Sequence, residues 1–130
     1  MKIAIDAMGG DHAPAEIVKG CLEACVHTEA ELILVGDRQQ ITDELARSGI
    51  SYDARRISIV HAQEVIENTD SPVRAVRSKP DSSMVRAIEL VRSGEADAAL
   101  SAGNTGALMA AGLLRLGRIK GVERPAIVSI

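Results

Sequence analysis

Short apolar runs alternate with helix-forming segments along most of this chain of 130 residues. Such runs, rich in Ile, Val, Leu and Ala, are typical of strands buried in a parallel sheet. Strands are predicted at residues 2–6, 31–35, 57–62, 96–101 and 126–130, and helices at 14–27, 38–48, 73–77, 82–93 and 105–116. Strands that alternate with helices form parallel βαβ units with right-handed crossovers. The sequence therefore predicts an α/β fold: a three-layer, Rossmann-like α/β/α arrangement around a mainly parallel sheet.

The domain is expected to be incomplete at its carboxyl end. The chain stops at Ile130, inside or at the end of the fifth predicted strand. In open α/β sheets the next residues enter the loops where ligands bind, at the carboxyl edge of the strands. We therefore expect residues 1–130 to be the N-terminal part of a single α/β/α domain that continues beyond the chain end.

Composition excludes several classes of partner. The formal net charge is −3 and Tyr52 is the single aromatic residue, which argues against a nucleic-acid surface built from basic and stacking side chains. No apolar run approaches the roughly 20 residues that span a bilayer. The N-terminus lacks the pattern of a secretory signal peptide, so a cytoplasmic protein is expected.

Two glycine-bearing turns follow predicted strands. Ser101, Gly103, Asn104 and Thr105 lie between the fourth strand and a helix, where backbone N–H groups at a helix N-terminus favour an anion such as phosphate. A similar turn with Gly9-Gly10 follows the first strand. Because both turns reach the same sheet edge, they predict one site. The alternative is that the glycines merely allow tight connections.

Titratable groups flank the first of these turns. Asp6, Asp11 and His12 form a cluster there, and histidine suits general acid or base catalysis near neutral pH. The alternative interpretation is that Asp11 or His12 only caps the following helix.

A long polar stretch, residues 63–81, contains a second candidate anion site. Lys79 precedes Ser82 and Ser83 at a predicted helix N-terminus, where charge, hydroxyls and helix dipole coincide.

Basic residues around Arg74 and Arg118 are candidates for docking an acidic partner. A solvated basic surface is the alternative for all of these groups.

The common nucleotide and hydrolase motifs are absent from the sequence. It has no G-x-x-x-x-G-K-[ST] loop, no G-x-G-x-x-G fingerprint and no G-x-S-x-G elbow. Asp37 nevertheless follows the second strand, near where a ribose-binding acid is found in dinucleotide-binding folds. A dehydrogenase-like domain that binds a nicotinamide dinucleotide therefore stays open as an alternative.

Three segments together resemble one family. Residues 3–14 (IAIDAMGGDHAP), 79–84 (KPDSSM) and 96–109 (ADAALSAGNTGALM) are similar to bacterial phosphate acyltransferases of the PlsX type. The resemblance implies an enzyme that moves a fatty acyl group from acyl carrier protein to inorganic phosphate, an early step of phospholipid synthesis. It also implies a cytoplasmic homodimer, peripheral association with the inner face of the membrane, and no metal or organic cofactor.

Family members are longer than this chain, so the chain alone is expected to be inactive; a non-catalytic fragment is the remaining alternative. From the chemistry of the two turns and the titratable cluster, we assign catalytic roles to Asp11, His12 and Asn104. Phosphate binding is assigned to Gly9, Gly10, Lys79, Ser82, Ser83, Ser101, Gly103 and Thr105.

Overall fold

A computed structural model describes residues 1–128 of the chain. Its strands are β1 (Lys2–Asp6), β2 (Glu31–Gly36), β3 (Ile57–His61) and β4 (Ala98–Leu100). Its α-helices are α1 (Ala15–His27), α2 (Arg38–Arg47), α3 (Pro72–Ser78), α4 (Ser83–Ser93) and α5 (Thr105–Ala111), and α5 runs directly into a π-helix (Gly112–Leu116).

The four strands form one parallel sheet in the order β3-β2-β1-β4. In the register of this sheet, Ile5 of β1 lies between Leu34 of β2 and Leu100 of β4. Helices connect the successive strands, as parallel pairing requires. The predicted parallel α/β class is confirmed, whereas a specific likeness to Rossmann folds stays a prediction.

Side chains of the sheet alternate between two apolar layers, because successive strand residues point to opposite faces. Ile5 packs with Leu22 of α1 and Ile41 of α2 on one face. Ala4 packs with Leu90 of α4 on the other. A further cluster joins α3, α4 and α5. The sheet therefore has helices on both faces, which confirms the three layers.

Most element bounds agree with the sequence predictions to within two residues, because periodicity and caps are local signals. Strand β4 differs: it spans three residues and lies at the edge of the sheet, and Leu100 is 52% exposed. The prediction of a buried strand there was wrong. The apolar run of residues 96–100 indicates a strand, but it does not indicate whether other strands pair with it on both sides.

The last predicted helix also differs. It is α-helical only to Ala111, and the π-helix that follows leaves Leu113 and Leu116 40% and 50% exposed. The all-round apolar pattern predicts a helix buried either within the domain or against a second subunit. Ala107 and Ala111 are fully enclosed within the described residues, whereas Met109 is 40% exposed, so burial of the remaining apolar side chains against a second subunit stays a prediction.

The predicted strand at residues 126–130 falls partly outside the described residues. Residues 126–128 are irregular, and Ser129 and Ile130 are not described. Within residues 1–128, no helix combines the length and apolar character needed to cross a membrane.

Candidate functional site

The two glycine-bearing turns lie side by side at the carboxyl edge of the sheet. The first glycine turn (residues 7–12) follows β1, and the second glycine turn (residues 101–106) follows β4, the direct neighbour of β1. A Cβ atom added to Gly103 would lie 3.2 Å from the Cα of Gly9, so the two backbones are in close contact. Gly10 has a φ of 118°, a conformation that favours glycine. The structure thus brings together the turns that the sequence predicts to form one site.

The buried carboxylate of Asp6 joins both turns to the start of α4. Ser101 Oγ donates a hydrogen bond to Asp6 Oδ2 over 2.7 Å, and Ser83 Oγ donates to Oδ1 over 2.5 Å. The backbone N–H of Met8 also donates to Oδ1, at 3.3 Å. Ser101 Oγ in turn accepts from the N–H of Gly103 at 3.0 Å. The sequence analysis gave Asp6 no role of its own, because its serine partners are 77 and 95 residues away in the chain.

Ser82 and Ser83 both lie at the N-terminus of α4, as predicted, but inside the protein. Their exposed fractions are 0% and 1%. Ser82 Oγ accepts the N–H of Val85 at 3.3 Å and caps the helix. The Ser83 hydroxyl is bound to Asp6. A contact of either hydroxyl with phosphate stays a prediction.

Lys79 has protein partners of its own. Its Nζ lies 2.6 Å from Asp70 Oδ2 and donates to the carbonyl of Val65 over 2.8 Å. The hydrogen bond from Lys79, followed by one from the backbone N–H of Glu67, lowers the pKa of Asp70 below its ordinary value. The Lys79 ammonium and the two serine hydroxyls therefore have separate partners, and their joint role in anion binding stays a prediction.

Asn104 fastens the loop after β3 to the start of α5. Its Oδ1 accepts the N–H of Ala107 at 3.0 Å and caps α5. Its Nδ2 donates to the carbonyls of Glu67 and Asp70, at 3.2 and 3.1 Å. The side chain is 9% exposed. These contacts give Asn104 a structural function, and its catalytic role stays a prediction.

Asp11 and His12 are exposed at the end of the first glycine turn. Asp11 Oδ1 accepts a hydrogen bond from Asn68 Nδ2 at 3.0 Å. Asp11, Asn68, Gly10 and Glu67 line a pocket of about 500 Å³ that opens beside the paired turns. Asp11 thus lines this pocket, and His12 is exposed next to it in the chain.

The two arginines predicted to meet an acidic partner are exposed. Arg74 lies on α3 at the rim of a polar pocket of about 220 Å³ that also includes Ser71. Arg118 follows the π-helix, and its Nη1 donates to the carbonyl of Glu123 over 2.7 Å. Both guanidinium groups can be approached from solvent.

An apolar groove of about 500 Å³ runs along α5 and the π-helix, a feature that the sequence analysis missed. Its lining includes Leu108, Met109, Leu113 and Ile127, and it reaches the second glycine turn at Thr105. The all-round apolar pattern of residues 107–116 was the available signal, but it was interpreted as burial.

The dinucleotide alternative gains no support from Asp37. Its Oδ1 accepts the N–H of Gln40 at 2.9 Å, so this carboxylate caps α2.

Among residues 1–128, no group of three His, Cys, Asp or Glu side chains is placed to hold a metal ion.

Comparison with known proteins identifies relatives along the whole chain. A family model described as "Fatty acid synthesis protein" matches residues 1–130. The chain is 59% identical over 128 residues to a phosphate acyltransferase of Geobacillus thermodenitrificans, covering 98% of this chain and 37% of that protein. Proteins of the same name from Pelotomaculum thermopropionicum and Thermoanaerobacter pseudethanolicus are 57% and 55% identical over all of this chain, which covers 37% and 38% of their lengths.

The chain thus spans little more than a third of the length of these curated relatives, and its match begins at residue 1. The motifs at residues 3–14, 79–84 and 96–109 lie within the matched region. The chain belongs to the fatty acid synthesis protein family, the PlsX-type phosphate acyltransferases that its sequence resembles.

Proposed function

We propose that the protein transfers a fatty acyl group from acyl carrier protein to inorganic phosphate, giving acyl phosphate for phospholipid synthesis. The name shared by relatives at 55–59% identity supports acyl transfer to phosphate. The observation that carries the proposal is the contact between the two glycine turns beside a helix N-terminus. Such a surface of small residues and backbone N–H groups suits a phosphate ion.

The reaction needs no nucleophile from the protein. An oxygen of hydrogen phosphate attacks the thioester carbon, the new C–O bond forms, and the C–S bond breaks. The departing sulfur takes up the proton that phosphate loses. The protein then has to hold phosphate, orient it toward the thioester, and stabilise the negative oxygen that develops on the carbonyl.

We assign this binding to the paired turns. Gly9 and Gly10 allow the first turn to approach the ligand, and Gly103, Asn104 and Thr105 supply donors at the start of α5. Ser101 supports this turn by accepting the Gly103 N–H. The Asn104 side chain caps α5, so its contribution to phosphate comes from the backbone.

Proton transfer is assigned to the exposed pair at the end of the first turn. Asp11 lines the adjoining polar pocket, His12 is exposed next to it in the chain, and an imidazole accepts or donates a proton near neutral pH. Lys79, Ser82 and Ser83 would add charge and hydroxyls. Because each of them has a protein partner, a direct contact requires those partners to be exchanged when phosphate binds.

The partners that the resemblance implies are proposals as well. We propose a homodimer of the longer protein that associates peripherally with the membrane and receives acyl carrier protein at Arg74 and Arg118. Charge reversal by Arg74→Glu should raise the apparent KM for acyl carrier protein at low salt, because an acidic partner loses an attractive charge. An unchanged KM would place the docking surface elsewhere.

The function is tested by the complete gene product with acyl carrier protein thioester and phosphate. Acyl phosphate is trapped with hydroxylamine as the hydroxamate, and released thiol is measured in parallel. We expect both products to depend on phosphate concentration. Thiol release without hydroxamate would indicate hydrolysis and contradict the proposal.

The assignment of proton transfer is tested separately. His12→Ala should lower kcat by about a hundredfold, the usual contribution of a general acid or base. His27→Ala is the matched control, since His27 is exposed at the far end of α1.

The 130-residue chain alone is expected to be inactive, because it spans little more than a third of the length of its relatives.

A further inference from the structure

The proposed reaction gives no role to Asp6. It is a buried carboxylate, 2% exposed, at the end of β1, and its partners are the hydroxyls of Ser83 and Ser101 and the N–H of Met8. Burying a carboxylate is costly unless hydrogen bonds replace its water shell. A buried carboxylate at this position therefore indicates that its hydrogen bonds have a function in the structure.

The bond to Ser101 connects Asp6 to the second glycine turn. A serine hydroxyl has one proton, and Ser101 directs it to Asp6 Oδ2. An oxygen lone pair is thereby left facing the N–H of Gly103, which donates to it at 3.0 Å. The carboxylate thus fixes the orientation of the serine, and the serine fixes the turn.

Asp6 also sets how closely the first glycine turn approaches. A Cβ atom added to Gly9 would lie 2.4 Å from Asp6 Oδ2 and 2.9 Å from Ser101 Oγ. Gly9 is therefore packed against the two side-chain oxygens that share this hydrogen bond, and no larger residue fits there. The Asp6 carboxylate thus contacts both turns of the candidate site, since Oδ2 accepts from Ser101 and Oδ1 accepts the N–H of Met8.

The carboxylate oxygen Oδ1 also connects Asp6 to helix α4. Asp6 Oδ1 accepts from Ser83 at the start of α4, which packs on one face of the sheet and contributes Met84 and Val85 to the apolar cluster with α5. Of the two hydroxyls that donate to Asp6, that of Ser101 belongs to a glycine turn and that of Ser83 belongs to α4.

We propose that Asp6 is a positioning residue that acts through Ser101 to hold the two glycine turns at the separation phosphate requires. The inference rests on the proposed function, because it assigns to the phosphate site a residue that contacts none of the reacting atoms. It predicts an effect on phosphate recognition that is separate from the general stability of the fold.

The test compares variants of the complete gene product in acyl phosphate formation. Ser101→Ala should raise the KM for phosphate about tenfold, the effect of losing one hydrogen bond to a charged group, with the KM for acyl carrier protein unchanged. Ser58→Ala, on the exposed edge of β3, should change the KM for phosphate less than twofold. Asp6→Asn, whose amide retains a single acceptor oxygen, should behave like Ser101→Ala, and the double variant should be no worse than either.

The outcomes separate this inference from the proposed function. Equal effects of Ser101→Ala and Ser58→Ala, or additive effects in the Asp6→Asn/Ser101→Ala double variant, overturn the positioning role while the function stands. A parallel loss of kcat with both KM values unchanged also overturns it, since that is the result of a smaller folded fraction. A wild-type protein that forms no acyl phosphate overturns both. If Asp6→Asn does not fold, the comparison of Ser101→Ala with Ser58→Ala decides the question.

Discussion

Gly9 lies at the closest approach between the first glycine turn and the side chains of Asp6 and Ser101. Its absent Cβ is a packing requirement, because an added Cβ would lie 2.4 Å from a carboxylate oxygen. The sequence alone indicates that Gly9 permits a tight turn. The group it must avoid became evident from the pairing of β1 with β4, which brings residues 95 positions apart into contact. Long-range hydrogen bonds of this kind leave no local pattern in a sequence.

Replacement of Gly9 should therefore destabilise the protein. Gly9→Ala is expected to lower the free energy of unfolding by about 1–3 kcal/mol, the usual cost of forcing an extra methyl group into a packed region. Gly20→Ala is the matched control, because Gly20 lies within α1 and a Cβ there would meet nothing within 4 Å. That variant should be more stable by up to about 1 kcal/mol, since alanine favours a helix over glycine. Urea unfolding monitored by circular dichroism measures both, and an equal change in the two variants would contradict the packing argument.

At the scale of elements, helices and strands were predictable where their signals are local. Asp37 and Ser82 accept N–H groups at the first turns of α2 and α4, and Gly94 ends α4 in a left-handed conformation. The position of β4 at the sheet edge and the change to a π-helix at Gly112 were not predictable, since both depend on which neighbours the rest of the fold provides. For the same reason, the sequence did not indicate that the Asn104 side chain connects two elements, and its catalytic role stays a prediction.

Two variants of Asn104 separate the cap of α5 from the attachment of the loop at residues 67–70. Asn104→Ala removes the cap acceptor and the donor to the loop, and it should cost about 1–2 kcal/mol of stability. Asn104→Asp keeps an acceptor for the Ala107 N–H but loses the donors to the carbonyls of Glu67 and Asp70.

We expect Asn104→Asp to retain the start of α5 while the loop becomes mobile. Amide hydrogen exchange should accelerate at residues 67–70 in both variants, and near Ala107 only in Asn104→Ala. Faster exchange at Ala107 in both would show that the cap and the loop attachment cannot be separated.

On the scale of the whole molecule, partly exposed apolar side chains cluster along α5 and the π-helix. Met109, Leu113, Leu114 and Leu116 are 40–50% exposed along α5 and the π-helix, and Ile119 beside them is 80% exposed. These side chains border the apolar groove that reaches Thr105. The sequence analysis correctly identified an apolar helix, but a single chain gives no information on what covers it.

This surface predicts a measurable property of the 130-residue chain. In isolation the chain should bind an environment-sensitive apolar dye and associate with itself, because clustered apolar side chains are removed from water by either event. The double variant Leu113→Ser/Leu116→Ser should lower dye fluorescence by about half, with little loss of stability, since both leucines are only partly buried. Val73→Ser is the matched control: Val73 is 48% exposed on α3, outside the groove. Sedimentation velocity measures self-association in the same samples. If the leucine variant were as fluorescent and as associated as Val73→Ser, the surface along α5 and the π-helix would not be the apolar face of this chain.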